Sequence, residues 1–279
     1  MTPLAWDRYG KARIRLVKVE RGSDADAAHD VIDLTIDVQL EGAFGAVFDG
    51  DNSACLATDT MKNTVYAMAR GRRIEHAETF AIALADHFAA QPAVSKVQIT
   101  SSEPEWSPIA VGGHGHPHAF IQSNAEQRTS VVTRDGSATT VISGIANLVV
   151  LKTTDSAFSG FPRDRFTTLA ETEDRILATS ITAAWTYRRD ATEFAARSRI
   201  RTALLETFAT HHSRSVQHTL KAMGDAALAV CADALDITLT MPNRHHLLVD
   251  LTPFGLDNPN EIFVATDQPY GLIEARIVR

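Results

Sequence analysis

Apolar residues alternate with polar ones at Ile32, Leu34, Ile36, Val38 and Leu40 against Asp33, Thr35, Asp37 and Gln39. A period of two with one polar side is the signature of a strand that packs on a core from one face. Before it, the β-rich run 11–20 loses its alternation at Leu16-Val17, so a bulge or burial on both faces is expected there. After a turn rich in Gly and Asp the period changes. Met61, Val65 and Met68 recur at helical spacing behind Thr58 and Asp59, either of which can cap the helix. A second helix is expected along Phe80, Leu84 and Phe88, ended by Pro92. Extended runs follow at 94–100 and about 118–134, separated by an irregular segment rich in Pro, Gly and His, and Asp135-Gly136 marks a tight turn.

The same order then returns. Extended runs at 138–151 and along Leu177, Ile181, Ala183, Trp185 and Tyr187 precede two helical stretches, one over about 191–210 and one marked by Val216, Leu220, Met223 and Ala227. Ile237, Leu239 and Met241 lead into Leu247, Val249 and Leu251, and extended pieces at 262–265 and 272–278 close the chain. The pattern is ββααββ written twice, with units expected at 1–136 and 137–279. That order implies an α+β class with antiparallel sheets and helices on one face.

Composition narrows the function classes. A chain of 279 residues with 44% apolar and 22% charged residues has ample material for folded domains. A net charge of -7 argues against binding phosphate backbones, so nucleic acid is not an expected partner. Cys55 and Cys231 are too few for a disulfide framework and fit a reducing compartment. No apolar run suits a membrane span, the N-terminus lacks the regions of a signal peptide, and Arg276-Ile277-Val278-Arg279 is not a peroxisomal address of the Ser-Lys-Leu type. The expected location is the cytoplasm.

Several polar groups sit where a plain structural role leaves something over. Lys11 follows Tyr9-Gly10 at a strand start, where a solvated lysine is the ordinary reading; burial or a neighbouring cation would turn it into a base. Thr58 and Asp59 are good caps, yet only one is needed, and the backbone N–H groups of a helix start also suit an anionic oxygen. Asn243-Arg244-His245-His246 places an amide and two imidazoles in a β-rich run, where they need partners or water. Phe158 and Leu169 read as core and Arg175 as a surface ion pair. Ser215 can cap the last helix and Val216 can pack, but Gln217 carries an amide able to read a carbonyl beside an N–H. His114, His116 and His118 have the spacing of a Zn²⁺ or Cu²⁺ site, although Gly115 and Pro117 point to a loop and no metal is expected.

Together these segments resemble the urate oxidase family. The resemblance rests on Tyr9-Gly10-Lys11, Thr58-Asp59-Thr60-Met61-Lys62-Asn63-Thr64, Phe158-Ser159-Gly160-Phe161-Pro162-Arg163-Asp164, Leu169 with Arg175, Ser215-Val216-Gln217 and Met241-Pro242-Asn243-Arg244-His245-His246. Later matches include Asp250-Leu251-Thr252-Pro253-Phe254-Gly255 and Pro269-Tyr270-Gly271-Leu272-Ile273-Glu274. The segment around 101–118 departs from the family pattern. The resemblance implies the tunnelling fold and a homotetramer whose sheets close into a barrel. It implies oxidation of urate by O₂ and water to 5-hydroxyisourate and hydrogen peroxide, with no cofactor. It implies that Lys11, Thr58 and His245 form a proton relay, with Asp59 and the Thr58 backbone reaching the purine. Phe158 would stack on the purine with Leu169 beside it, Arg175 and the Val216-Gln217 pair would grip its edges, and Asn243 would hold the oxygen site. One subunit would supply lysine, threonine and histidine, and its neighbour the purine clamp. Two other readings remain: a zinc-dependent tunnelling-fold purine or pterin enzyme using the His114 region, and a purine-binding protein without catalysis.

Overall fold

The structure, a computed structural model, describes residues 4–22, 27–122, 124–192 and 194–279. Two compact units result, Met1–Gly144 with Thr186–Ala195 and Ile145–Trp185 with Ala196–Arg279. The division falls inside a strand, between Gly144 and Ile145.

In the first unit β1 (Tyr9–Glu20) runs antiparallel to β2 (Asp30–Gly42). The alternation along β2 does what its pattern implies: Leu34, Ile36, Val38 and Leu40 are at most 1% exposed, so one face of the strand is core. A short helix α1 (Gly45–Phe48) leads to α2 (Thr58–Arg70) and α3 (Ala77–Ala89). Phe80, Leu84 and Phe88 of α3 are buried, and α3 packs on β3 (Val94–Pro104) and β6 (Gln127–Asp135), while α2 packs on β1. The strand order is β1-β2-β3-β6. Between β3 and β6 the segment expected to be irregular is a hairpin, β4 (Ser107–Val111) and β5 (His114–Ile121), turned by Gly112 and Gly113 at positive φ. Its two strands pair only with each other, which is why no core-facing alternation marks them in the sequence.

β1 corrects a second expectation. Its register against β2 is unbroken from Ile14 to Glu20, and the bulge lies earlier, between Lys11 and Ile14. Val17 is 60% exposed, so the apparent slip at Leu16-Val17 is an outward valine rather than a distortion.

β7 (Ala138–Lys152) and β8 (Leu177–Tyr187) run from one unit into the other. The second unit adds α4 (Arg197–Thr210), α5 (Val216–Ala229), β9 (Ala234–Leu248) and β10 (Phe263–Val278), in the strand order β7-β8-β9-β10. The helix expected from 191 begins at Arg197. Leu220, Met223 and Ala227 of α5 are buried with Leu239 and Met241 of β9. At Gly224 the helix comes so close to β10 that a Cβ would sit 2.6 Å from Ile277 Cδ1. The two extended pieces expected at the C-terminus are one strand, whose pairing with β9 shifts between Thr266 and Gly271. That looped-out stretch is why it reads as two in the sequence. The helices and antiparallel pairing make the class α+β.

Candidate active site

β9 carries Asn243 and His245 two positions apart, so both side chains leave the same face of the strand. They line a cavity of about 180 Å³ together with Phe158, Leu169, Ala170, Thr172, Arg175, Ile176, His246, Leu247 and Leu248, all in the second unit. The loop carrying Phe158 is held on both sides by backbone bonds. Phe158 N–H donates to Thr172 O at 2.7 Å and Phe158 O accepts the Thr172 N–H at 3.1 Å, while Ala157 N–H donates to Ser213 O at 2.6 Å. The last bond fastens the loop to the chain just before α5, whose first two residues are Val216 and Gln217. Ser215 caps that helix, its hydroxyl accepting the His218 N–H at 3.1 Å. Val216 is buried, whereas Gln217 is exposed and does not line the cavity.

Arg175 is the charged element of this wall. Its guanidinium carbon lies 5.1 Å from the centroid of the Phe158 ring, a cation–π contact, and Phe158 in turn stacks on Phe161 at 5.0 Å. Burial lowers the Arg175 pKa from its ordinary value. Its Nε is buried and has no hydrogen-bond partner among the described residues. A flat aromatic surface, a half-buried cation with an unused donor, an amide and an imidazole can together hold a planar anion and its polar edges.

The first unit holds a second group of candidates. Lys11 is half-buried on β1, and its charge reaches Asp59 in the first turn of α2. The Asp59 carboxyl is held below its ordinary range by the hydrogen bond and charge of Lys62, then by Asn63, whose Nδ2 donates at 2.9 Å, and by Lys11. Neither Thr58 nor Asp59 caps α2: the cap position is Ala57, with no side-chain bond, and Thr58 is the first helical residue. The cap expected from either residue is therefore corrected, and the Thr58 side chain stands at the open N–H end of the helix. Tyr9 ties this corner together. Its hydroxyl accepts the Leu56 N–H at 2.9 Å, its ring meets Phe44 edge-on at 4.7 Å, and burial with the neighbouring Cys55 pushes its pKa up to about 12.

Of the residues singled out in the sequence, Phe158, Leu169, Arg175, Asn243 and His245 meet at one cavity, and Lys11, Thr58 and Asp59 meet at the α2 entrance. His245 thus lines the same cavity as Phe158, Leu169 and Arg175 of its own chain. His246, read as structural, also lines the cavity and a second one of about 210 Å³ that shares Arg175. Cys55 and Phe44 carried no sequence signal as site residues, and Tyr9 stood out only within the Tyr9-Gly10-Lys11 segment. His114, His116 and His118 sit on β5 rather than in a loop, with the His116 and His118 rings 4.4 Å apart. Among the described residues no group of three or more His, Cys, Asp or Glu side chains is gathered as a metal ion would require.

The uricase family model matches residues 7–133 and 141–274. The uricase of Arthrobacter globiformis is 44% identical over 279 residues, covering 99% of this chain and 90% of that protein, and the uricase of Dictyostelium discoideum is 35% identical over 284 residues, covering 100% and 98%. The chain belongs to the uricase family. The crystal structure of the Arthrobacter globiformis uricase superposes with a TM-score of 0.94 over 100% of this chain and 96% of that one. A Bacillus fastidious uricase, 23% identical, matches with a TM-score of 0.83 and shows the fold alone. Both uricase segments defined by the family model contain candidate residues, Lys11 and Thr58 in the first and Phe158 to His245 in the second.

Proposed function

We propose that the protein oxidises urate with O₂ and water to 5-hydroxyisourate and hydrogen peroxide. The observation that carries this reading is the convergence of Phe158, Leu169, Arg175, Asn243 and His245 on one cavity in a chain of the uricase family. Phe158 stacks on the purine with Leu169 beside it, and Arg175 grips an anionic edge through two parallel N–H donors, which a lysine could not copy. Val216 and Gln217 close the opposite edge. Lys11, acting through Thr58, takes a proton from urate to leave an electron-rich dianion, and the Thr58 backbone with Asp59 reaches the purine. The dianion gives electrons to O₂, a bond forms at C5, and water replaces the departing peroxide there. Asn243 and His245 order first O₂ and then water, and His245 carries the proton onward. Balance requires one urate, one O₂ and one water for one 5-hydroxyisourate and one peroxide.

No flavin or metal is required by this chemistry, because the anion itself is the electron donor. The site is shared: the α2 entrance of one subunit completes the clamp of its neighbour within a homotetramer. Exposed edge strands β1 and β10 suit closure of the sheets into a barrel by association. No helix of the described residues is long and apolar enough to cross a membrane, and two free cysteines fit a reducing cytoplasm. Loss of urate absorbance followed together with oxygen uptake and peroxide release, with and without chelator, tests the reading. Equal consumption of urate and O₂, untouched by chelator, is the expected result. Urate binding without oxygen uptake would leave a purine-binding protein instead.

A further inference from the structure

Lys11 faces α2 only because of the bulge that follows it. Lys11 is paired with Val38 and Ile14 with Ile36, so Ala12 and Arg13 together oppose the single residue Asp37. Residues opposite one another across an antiparallel pair project to the same face. Val38 and Ile36 are both core residues under the helices, so Lys11 and Ile14 share that face although they are an odd number of positions apart. In a regular strand Ile14 and Leu16 would point inward and Lys11 outward, since a slip of one residue exchanges the faces. The extra residue is accommodated by Arg13, at φ 54 in the left-handed region that favours glycine. What holds it there is Asp37: the Arg13 backbone N–H donates to Asp37 Oδ1 at 2.5 Å.

We propose that Asp37 is a positioning residue of the active site, which fixes the Ala12-Arg13 bulge and so aims Lys11 at Thr58. The assignment rests on Lys11 acting as the base in urate oxidation. Asp37 touches no substrate, and its partner is a backbone group. A short acceptor at this position performs the task that a glycine at position 13 would perform by having no steric objection to positive φ. The chain reaches the same geometry with an arginine and an aspartate.

The test compares Asp37→Ala, Arg13→Gly and the double variant in the full chain, with wild type and Lys11→Met as the upper and lower references. Asp37→Ala should lose kcat on the order of a hundredfold, the cost of moving a reacting group by about 1 Å, with KM for urate unchanged because the clamp lies in the other unit. Adding Arg13→Gly should restore most of that kcat, since glycine keeps the bulge without help. Near-normal kcat in Asp37→Ala, or a loss that Arg13→Gly does not restore, would each overturn the assignment. Inactivity of the wild type, or full activity of Lys11→Met, would instead strike the urate-oxidase reading itself.

Discussion

Arg175 should be a residue that the protein keeps at no benefit to its own stability. Its Nε is buried without a partner among the described residues and its pKa is lowered by burial, so the folded protein without ligand carries an incompletely solvated cation. Leaving such a donor unpaired costs about 1–3 kcal/mol, and the cation–π contact with Phe158 at 5.1 Å returns about 0.5–2 kcal/mol. Arg175→Met, which keeps much of the packing volume, is therefore expected to be neutral or to stabilise by up to about 2 kcal/mol. Thermal melts of the ligand-free protein should hold steady or rise, at roughly 2–4 °C per kcal/mol. Catalysis should behave in the opposite way. Two charge-assisted hydrogen bonds to urate are worth about 1.5–3 kcal/mol each, so kcat/KM should fall on the order of 10²–10⁴-fold, with binding of urate weakened in step. Melts and urate kinetics on the same preparation decide it. A variant that melts several degrees lower while oxidising urate normally would make Arg175 a structural ion and refute the reasoning.

Lys11→Met should lower kcat on the order of 10²–10⁴-fold, the usual contribution of a positioned base, while urate binding persists; near-normal turnover removes the base assignment. Tyr9→Phe should cost about 1–2 kcal/mol at neutral pH, because the Leu56 N–H loses its acceptor. The folded-state pKa of Tyr9 is raised from 10.0 to about 12, so wild-type stability is present below the unfolded value and is lost as pH climbs through that interval. Denaturation of Tyr9→Phe should lack that alkaline component; an identical alkaline profile would contradict it. His211 sits with its Nε2 3.1 Å from His218 Nδ1, and burial, then His218 and Lys152, hold its pKa below the ordinary value. Lys152, His212 and Asp155 also face it, and only Asp155 favours its proton. The unfolded chain thus binds the proton more readily, and stability should be full above about pH 6.5 and fall as pH drops below it. Urea midpoints that fall equally steeply in His211→Gln would show that this pair is not the source.

The elements with one wet face were legible in the sequence because their pattern answers directly to burial. β2 and the inward positions of α3 and α5 follow the alternation and helical spacing residue by residue. The β4-β5 hairpin was not legible, because a ribbon paired only with itself has no core to impose a period. The bulge was misplaced for a related reason: Val17 is apolar yet exposed, and a single chain pattern cannot tell a surface valine from a distorted strand. Phe158, Leu169, Arg175, Asn243 and His245 were found through the family resemblance, and Asn243 and His245 also stood out as polar groups in a β-rich strand. What Tyr9 and Asp37 do was not legible. Their roles are bonds to backbone N–H groups, at Leu56 and Arg13, and such partners leave no trace in residue type or spacing.

Mixed assembly of two inactive variants tests the central claim most directly. Lys11→Met lacks the relay and keeps the clamp, while Arg175→Met keeps the relay and lacks the clamp, so neither should oxidise urate alone. If each active site joins the relay of one subunit to the clamp of its neighbour, co-refolding equal amounts should recover about a quarter of the wild-type activity by random assembly. Mixtures no more active than the separate variants, in tetramers shown to contain both chains, would contradict a site shared between subunits.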